Sequence, residues 1–413
     1  MTQPASKHAI IFVFITVLLD MIGFGIIMPV LPALLMEITG KPLSSAAAYG
    51  GYLLTAYALL QFLFAPILGG LSDRFGRRPV LLVSLAAYAV NYVIAGFATT
   101  LLWLFLGRIM TGIAGATHAT ANALVADVTP PEQRAQNFGL MGMAFGLGFV
   151  IGPALGGYLG EISPRLPFFA AAGLAALNLL YGALVLPETL PPSQRRAFNW
   201  RRANPFGALA RLAQFPALLG LVLVMFIYNI GHHVYPSIWA FFTMERFNWD
   251  SGDVGLSLAF VGLMMAMVQG GLIRVIIPKL GPARVALLGF LASSVAFAGT
   301  AVATTVPLLG LCIVASALAG LIGPAVQSIM SNQVPQNEQG ELQGLLASIG
   351  SIAAIVGPLT MTQLFYHYTD TTGVYFAGAP FVAAAALSLL ALLVFAVNCR
   401  RELLASVGLQ PPR

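Results

Sequence analysis

Charged side chains are scarce in this 413-residue chain, at 8% of all residues, whereas an ordinary soluble domain carries roughly 25%. So few charges cannot cover a water-facing surface, which excludes a soluble fold. Hydrophobic residues make up 58%, and they come in runs of about 20, the length that crosses a ~30 Å hydrocarbon core. We therefore predict an all-α polytopic membrane protein with 12 transmembrane helices.

Cysteine is nearly absent, since Cys312 and Cys399 stand far apart in separate apolar segments. This spacing gives neither a disulfide framework nor a metal site. The adjacent His232 and His233 point about 100° apart on a helix, which favours hydrogen bonding at a helix interface over metal binding. There is also no ATP-binding Walker loop and no Ser/His/Asp set at membrane depth. We expect no metal, no cofactor and no enzyme activity, so transport energy would come from an ion gradient or from the cargo's own gradient.

Charged and Pro/Gly-rich breaks predict the limits of the spans. The spans are expected at 9–36, 48–71, 80–98, 101–127, 136–160, 166–187, 214–242, 253–277, 284–303, 307–332, 340–366 and 374–398. The first follows Lys7 and His8 without a small-residue cleavage site, and Asp20 interrupts the place of a signal sequence, so we expect it to be retained.

The basic residues predict the orientation of the spans. An even number of spans places both termini on one side, and sixteen of the 20 basic residues fall on that side. The other side has Lys41, Arg165 and Arg246, while Arg108 lies inside a span. By the positive-inside rule both termini are cytoplasmic in a bacterial inner membrane. Because the basic residues occupy short loops, their excess is a topology signal rather than a sign of nucleic-acid binding.

The two halves of the chain repeat. Gly76, Pro130, Gly139, Gly152 and Pro153 recur 205 residues later as Gly281, Pro335, Gly344, Gly357 and Pro358. An Arg-rich segment at 188–213 separates 1–187 from 214–413, and an anchor at the inner leaflet explains it better than a regulatory site. We predict two six-helix bundles joined by this cytoplasmic linker, an arrangement typical of transporters that rock around a central site.

Two patterns predict parts that move. The loop after span two carries an ordered set of glycine, aspartate and arginine, with Gly76 suited to a tight turn and Asp127 at the end of span four as a partner for one arginine. Span five carries a small-residue face on which another helix can approach closely, and Pro153 interrupts its hydrogen bonding. The candidate gating residues are Gly69, Asp73, Arg74, Gly76, Arg77, Arg78, Asp127, Gly148, Gly152, Pro153, Gly156 and Gly157. Without further evidence, plain helix packing explains the span-five glycines better than gating.

Asp20 and Arg108 are ionisable residues at membrane depth, where a charge costs several kcal/mol unless it is paired or wetted. We expect Asp20 to load and release a proton under the influence of Arg108; the alternative is a permanent ion pair between two spans. His118 is a further candidate for titration, although a helix–helix hydrogen bond explains it somewhat better. The second half has Met225 and Ile313 at the positions matching Asp20 and Arg108, so coupling is expected in the first half.

Several motifs resemble the major facilitator superfamily. Gly69–Pro79 is similar to its loop-2/3 signature, Arg108–Ala116 to its span-four arginine motif, and Gly148–Gly157 to the span-five motif of its drug/proton antiporters. Leu19–Pro32 and Glu341–Leu346 resemble the tetracycline efflux family. The resemblance covers nearly the whole chain and implies a monomeric, proton-coupled drug exporter of the major-facilitator fold.

The chain departs from that family at two positions. The resemblance implies membrane-embedded aspartates in spans three and nine, where this chain has Asn91 and Ser293. The loss of two carboxylates favours a neutral or weakly cationic amphipathic cargo over a cationic metal–tetracycline chelate. Depth and polarity predict a binding cavity that includes Gln61, Asn91, Tyr57, Tyr88, Tyr228, Asn229, Gln269 and Ser293. For each residue taken singly, a packing contact is the better explanation.

The sequence thus favours proton-coupled export of amphipathic drugs, with tetracycline-like compounds among the candidates. A metabolite transporter for a sugar or an amino acid is the alternative within the same fold. A membrane scaffold or sensor that does not transport is the alternative of another class, but it would not need charges inside the bilayer.

Overall fold

The computed structural model consists of helices and connecting loops throughout the part of the chain that it describes. It describes residues 4–115, 117–129, 134–200, 203–207, 218–335, 338–370 and 373–399. The chain forms two compact units, Met1–Pro205 with Trp249–Gly262, and Phe206–Asn248 with Leu263–Arg413. The contiguous division into 1–187, a linker and 214–413 stays a prediction, because 249–262 groups with the first unit.

Seventeen α-helices occur in the described ranges. Before the linker lie α1 (Pro4–Ile27), α2 (Leu31–Thr39), α3 (Leu43–Phe75), α4 (Arg77–Phe97), α5 (Leu101–Ala114), α6 (Thr117–Val128), α7 (Arg134–Ile162) and α8 (Leu166–Val185). After it lie α9 (Leu219–His232), α10 (Val234–Phe247), α11 (Ser251–Met267), α12 (Ile273–Leu280), α13 (Pro282–Val302), α14 (Val306–Ala317), α15 (Ile322–Asn332), α16 (Gln339–Thr369) and α17 (Ala379–Asn398).

These helices make twelve spans. Eleven helical stretches among the described residues are long and apolar enough to cross a bilayer, and α5 is a shorter apolar helix. With α6 it forms the remaining span, which is interrupted at Gly115. The prediction of an all-α, twelve-span membrane protein is confirmed.

Five predicted spans are not single α-helices, contrary to expectation. They are the spans predicted at 9–36, 101–127, 214–242, 253–277 and 307–332. Three of the breaks lie next to Pro29, Pro236 or Pro324, and proline cannot donate to the carbonyl four residues earlier. Where α1 ends, the amide of Met28 bonds to Gly25 instead, at 3.3 Å. The predicted limits therefore outline the spans but miss their internal turns.

The repeat at an offset of 205 is visible in the backbone. The limits of α4 and α13 match residue for residue, and α7 and α16 begin at matching positions. Gly76 and Gly281 both have positive φ, at 109° and 77°, and both amides donate to the carbonyl four residues earlier. Glycine adopts this conformation without a steric penalty. The match ends at the last span, because α17 begins eight residues later than the offset from α8 predicts.

Two of the three basic residues on the predicted outer side cap helices. Arg165 Nη1 donates to the carbonyl of Ala98 at 2.8 Å, just beyond α4, and its Nε donates to Glu37 at 3.0 Å. Arg246 Nε donates at 3.1 Å to the carbonyl of Ala303, the matching residue beyond α13. Carbonyls at a helix C-terminus lack intrahelical donors, so each arginine satisfies an otherwise unpaired group.

The interior of the second unit is aromatic. Phe290 lies 5.4 Å from Tyr228 and 5.6 Å from Phe395, measured between ring centroids. The His232 ring lies 5.6 Å from both Tyr228 and Tyr235. His232 was expected to form interface hydrogen bonds, but within the described residues it makes ring contacts instead, because tyrosines flank it one turn before and three residues after.

Candidate functional site

The loop between α3 and α4 holds a set of charges around Arg77. Its Nη1 lies 2.6 Å from Asp73 Oδ1, and its Nε lies 2.9 Å from Asp127 Oδ2. The Arg77 side chain is only 12% exposed, so water screens these pairs less than it screens surface ion pairs. The predicted pairing of Asp127 with an arginine of this loop is confirmed, and it joins the loop to the end of α6.

Glu188, just beyond α8, caps the start of α4. Its Oε1 accepts a hydrogen bond from the backbone amide of Arg77 at 2.9 Å, and Oε2 accepts one from Arg78 at 3.3 Å. The first amides of a helix have no partner within the helix, and a carboxylate there also meets the positive end of the helix dipole. A side chain on Gly76 would collide with this carboxylate. Glu188 thereby ties the linker to the loop.

The linker residues after Glu188 also contact the loop between α3 and α4 and the end of α3. The amide of Arg196 donates to the carbonyl of Asp73 at 3.1 Å, and the ring of Phe198 packs on Gly70. The first part of the linker is therefore packed against protein. Its predicted role as an inner-leaflet anchor stays a prediction.

The remaining loop residues have separate contacts. Arg74 places its guanidinium 5.0 Å from the ring centroid of Phe75, and Arg78 Nη2 donates to the carbonyl of Ala183 at 2.6 Å. A side chain on Gly69 would point into open space. The gating role of the whole loop stays a prediction.

Replacing Glu188 by alanine is expected to lower stability by about 1 kcal/mol, because two amides at the start of α4 lose their acceptor. Glutamine should lose less, since its oxygen still accepts. Thermal unfolding of the purified protein measures both. Glu338 precedes α16 without a side-chain cap bond and provides the matched Glu→Ala control. Equal midpoints for the two alanine variants would contradict the capping role.

Three glycines spaced by four residues bring α7 against the backbone of α1. A β-carbon on Gly152 would lie 2.7 Å from the carbonyl oxygen of Ile22, and one on Gly148 would lie 2.9 Å from that of Leu18. A β-carbon on Gly156 would collide with the backbone of Ile26. The predicted close approach of another helix is confirmed, and that helix is α1.

A second side of α7 meets the beginning of α11. A β-carbon on Gly157 would lie 2.6 Å from the carbonyl oxygen of Ser251 and 3.1 Å from the α-carbon of Gly255. Pro153 stands inside α7, which continues through it, and its ring packs on Gly25 of α1. Whether these close contacts slide during transport stays a prediction.

Two glycines near Arg108 contact tyrosines. Gly112 follows it by four residues and shares its face of α5, and Gly115 lies just beyond the end of that helix. A β-carbon on Gly112 would lie 2.9 Å from the carbonyl oxygen of Tyr57, and one on Gly115 would lie 3.0 Å from the Tyr88 hydroxyl. Arg108 therefore faces α3 and α4, where these tyrosines lie.

Asp20 approaches the same tyrosines from α1. Gly23, three residues later, lies opposite the Tyr92 hydroxyl, which is 3.3 Å from the position of its β-carbon. Asp20 and Arg108 both act electrostatically on Tyr57 and Tyr92. Neither charged side chain has an ion pair or a hydrogen bond within the described residues. A direct, permanent bridge between the two charges is thus not present in this structure.

Polar side chains of α3 and α4 form hydrogen bonds with one another near these two charges. The hydroxyls of Tyr57 and Tyr88 lie 3.0 Å apart, and Gln61 Nε2 donates to Tyr57 at 2.9 Å. Asn91 is buried and packs against Gly107, next to Arg108. Three predicted cavity residues, Tyr57, Gln61 and Tyr88, are therefore neighbours. The ring of Tyr92 lies 6.3 Å from that of Tyr88, and we call Tyr57, Gln61, Tyr88 and Tyr92 the tyrosine cluster.

The predicted cavity residues of the second unit are less concentrated. The Ser293 hydroxyl is buried beside Tyr228 but does not reach hydrogen-bond geometry. Asn229 is partly buried on α9, and Gln269 lies on a π-helical turn against Gly320. The structure thus brings together two of these four residues, and a substrate role for any of them stays a prediction.

Two residues of the site were not predicted from the sequence, namely Tyr92 and Glu188. Tyr92 follows Tyr88 by one helical turn, a spacing that could have revealed it. Glu188 caps amides 110 residues earlier in the chain, and no local pattern signals such a contact. The side chain of His118 lies outside the described residues, so its predicted titration is untested.

Comparison with known proteins finds similarity over nearly the whole chain. The model of the Major Facilitator Superfamily matches residues 13–358 and 275–404. The class C tetracycline resistance protein of Escherichia coli is 40% identical over 388 residues, which cover 94% of this chain and 96% of that protein. The class B protein of Escherichia coli is 39% identical over 350 residues, covering 85% and 86%.

A solved structure agrees with the helical architecture. The crystal structure of the human organic anion transporter MFSD10 (TETRAN) is similar with a TM-score of 0.72 and 28% identity, covering 95% of this chain and 100% of that one. The twelve spans, the loop motif and these similarities lead to one conclusion: the chain belongs to the major facilitator superfamily.

Proposed function

We propose that the protein is a proton-coupled antiporter that exports amphipathic drugs by alternating access. It acts as a monomer in the inner membrane of a bacterium, with both termini in the cytoplasm. The proton gradient supplies the energy, and no cofactor or nucleic acid takes part. Its relatives support drug export, because class C and class B are tetracycline resistance proteins by name.

The observation that carries this proposal is the placement of two opposite charges around one polar cluster. Asp20 and Arg108 face the tyrosine cluster from α1 and α5 without pairing with each other. A permanent ion pair would hold both charges in one state. Two separated charges leave the carboxylate able to bind and lose a proton as its access to water changes.

In the proposed cycle, Asp20 binds a proton when the site is open to the outside and releases it toward the cytoplasm. Each event changes the net charge beside the tyrosine cluster by one. Since Asp20 lies on α1, this change acts on the helix that packs against the glycines of α7. The Arg77 charges and the Glu188 cap hold the loop after α3 in one arrangement.

Drug susceptibility and vesicle transport test the proposal together. An efflux-deficient host that expresses the chain should survive higher concentrations of at least one compound in a panel of tetracyclines, unrelated lipophilic drugs, sugars and amino acids. Inverted vesicles should take up that compound when a pH gradient is imposed and stop when an uncoupler is added. No protection by any compound, or uptake that ignores the uncoupler, would reject proton-driven drug export. Uptake restricted to a sugar or an amino acid would favour a metabolite transporter.

A further inference from the structure

Arg108 is a charged side chain at membrane depth that has no partner among the residues the structure describes. It is partly buried, about halfway along α5, and none of the described residues forms an ion pair or hydrogen bond with its guanidinium. A cation removed from water is strongly destabilised unless an anion or several acceptors compensate it. Asp20 also faces the cluster, and within the described residues it forms no ion pair with Arg108.

The polar side chains near Arg108 form no hydrogen bond with it in the described part of the chain. Gln61 donates to Tyr57, whose hydroxyl shares a hydrogen bond with Tyr88. The Tyr92 hydroxyl belongs to a side chain that is only 6% exposed and makes no hydrogen bond in the described part of the chain. Tyr92 follows Asn91, which packs against Gly107 next to Arg108, and its hydroxyl is a second donor without an acceptor among the described residues.

We infer that Arg108, with the Tyr92 hydroxyl, forms a binding site for the carboxylate of the exported compound. The substrate class is then an amphipathic molecule that carries a carboxylate, either anionic or zwitterionic. This inference rests on the proposed export function and adds the charge of the cargo. It departs from the neutral or weakly cationic cargo expected from Asn91 and Ser293, which indicate only that a cation is not held at those two positions.

The chemistry of the two donors suits a carboxylate. A guanidinium can donate two parallel hydrogen bonds to the two carboxylate oxygens, and such charge-assisted bonds are about twice as strong as neutral ones. Lysine keeps the charge but not the paired geometry. Asp20 faces the same cluster from α1, where Gly23 meets the Tyr92 hydroxyl, so a deprotonated Asp20 repels a substrate anion and a protonated one does not.

Matched pairs of an acid and its ester test this site. The probes are rhodamine B with its ethyl ester, and a diethylaminocoumarin carboxylic acid with its methyl ester. Fluorescence anisotropy of the purified full-length protein gives the affinity for each. Because hydrogen bonds to charged groups are stronger than those to neutral ones, each acid should bind about tenfold tighter than its ester, or more. R108Q should abolish this preference, and R108K should retain part of it.

A surface arginine provides the control. Arg274 is exposed at the start of α12, so R274Q should keep the full preference for the acid. Equal binding of acid and ester by wild type, binding of neither probe pair, or a preference that survives R108Q overturns the inference. Because anisotropy measures binding without transport, an Arg108-dependent acid preference in a protein that fails proton-driven uptake would leave this site intact and reject only the proposed export function.

Discussion

Asparagine in place of Asp20 is expected to reduce proton-driven uptake into inverted vesicles by about tenfold or more, since a group that transfers a proton commonly contributes at least that much. Asparagine has nearly the same shape as aspartate but cannot bind and release a proton. Uptake should therefore fall to the level seen with an uncoupler. Exchange of labelled for unlabelled drug, which needs no net proton movement, should continue.

Asp253 provides the matched Asp→Asn control for this result. It is exposed in the first turn of α11, and its side chain makes no hydrogen bond in the described structure. D253N should transport at the wild-type rate. Normal pH-driven uptake by D20N, with D253N also normal, would assign the coupling proton to another group. The role that the proposed function gives to Asp20 would then be wrong.

Alanine at Gly152 is expected to destabilise the protein by about 1–3 kcal/mol, the usual cost of extra atoms in a packed interface. The new β-carbon would lie 2.7 Å from the Ile22 carbonyl oxygen and 2.9 Å from the Gly25 α-carbon, so α1 and α7 must separate. Thermal unfolding and transport should both be impaired, because α1 also carries Asp20.

The same helix offers a control for this substitution. A β-carbon on Gly146 would meet nothing within 4 Å, and alanine is a better helix former than glycine. G146A should therefore be neutral or slightly stabilising. If G152A unfolds at the same temperature as G146A, the contact between α1 and α7 tolerates a side chain and the glycines are not needed for close packing.

Much of the fold could be predicted because the bilayer imposes a simple rule on the sequence. Apolar runs of sufficient length outline every span, and the pairing of Asp127 with a loop arginine follows from both lying at the same predicted membrane surface. The internal breaks near Pro29, Pro236 and Pro324 were harder to predict. Proline does not always interrupt a helix, since Pro153 stands inside the continuous helix α7. Proline alone therefore does not distinguish a break from a tolerated residue.

The candidate site could be predicted only in part. Asp20 and Arg108 stand out because charge at membrane depth is costly. Their separation, and their shared contact with the tyrosine cluster, depend on how α1, α3, α4 and α5 pack, which spacing along the chain does not determine. Glu188 was missed for the same reason, since its partners lie on a helix that begins 111 residues earlier.

Gly76 and Gly281 form matching turns with positive φ, and these turns show which features of the loop depend on backbone shape and which depend on charge. Both halves keep the turn, yet Asp73, Arg77 and Asp127 are matched at the offset of 205 by Pro278, Pro282 and Asn332. The turn therefore occurs in both halves, whereas the charges around Gly76 have no charged residue at the matching positions of the second half. In a saturation mutagenesis experiment, Gly76 and Gly281 should therefore tolerate substitution equally poorly. Asp73, Arg77 and Asp127 should tolerate substitution less well than the matching positions of the second half.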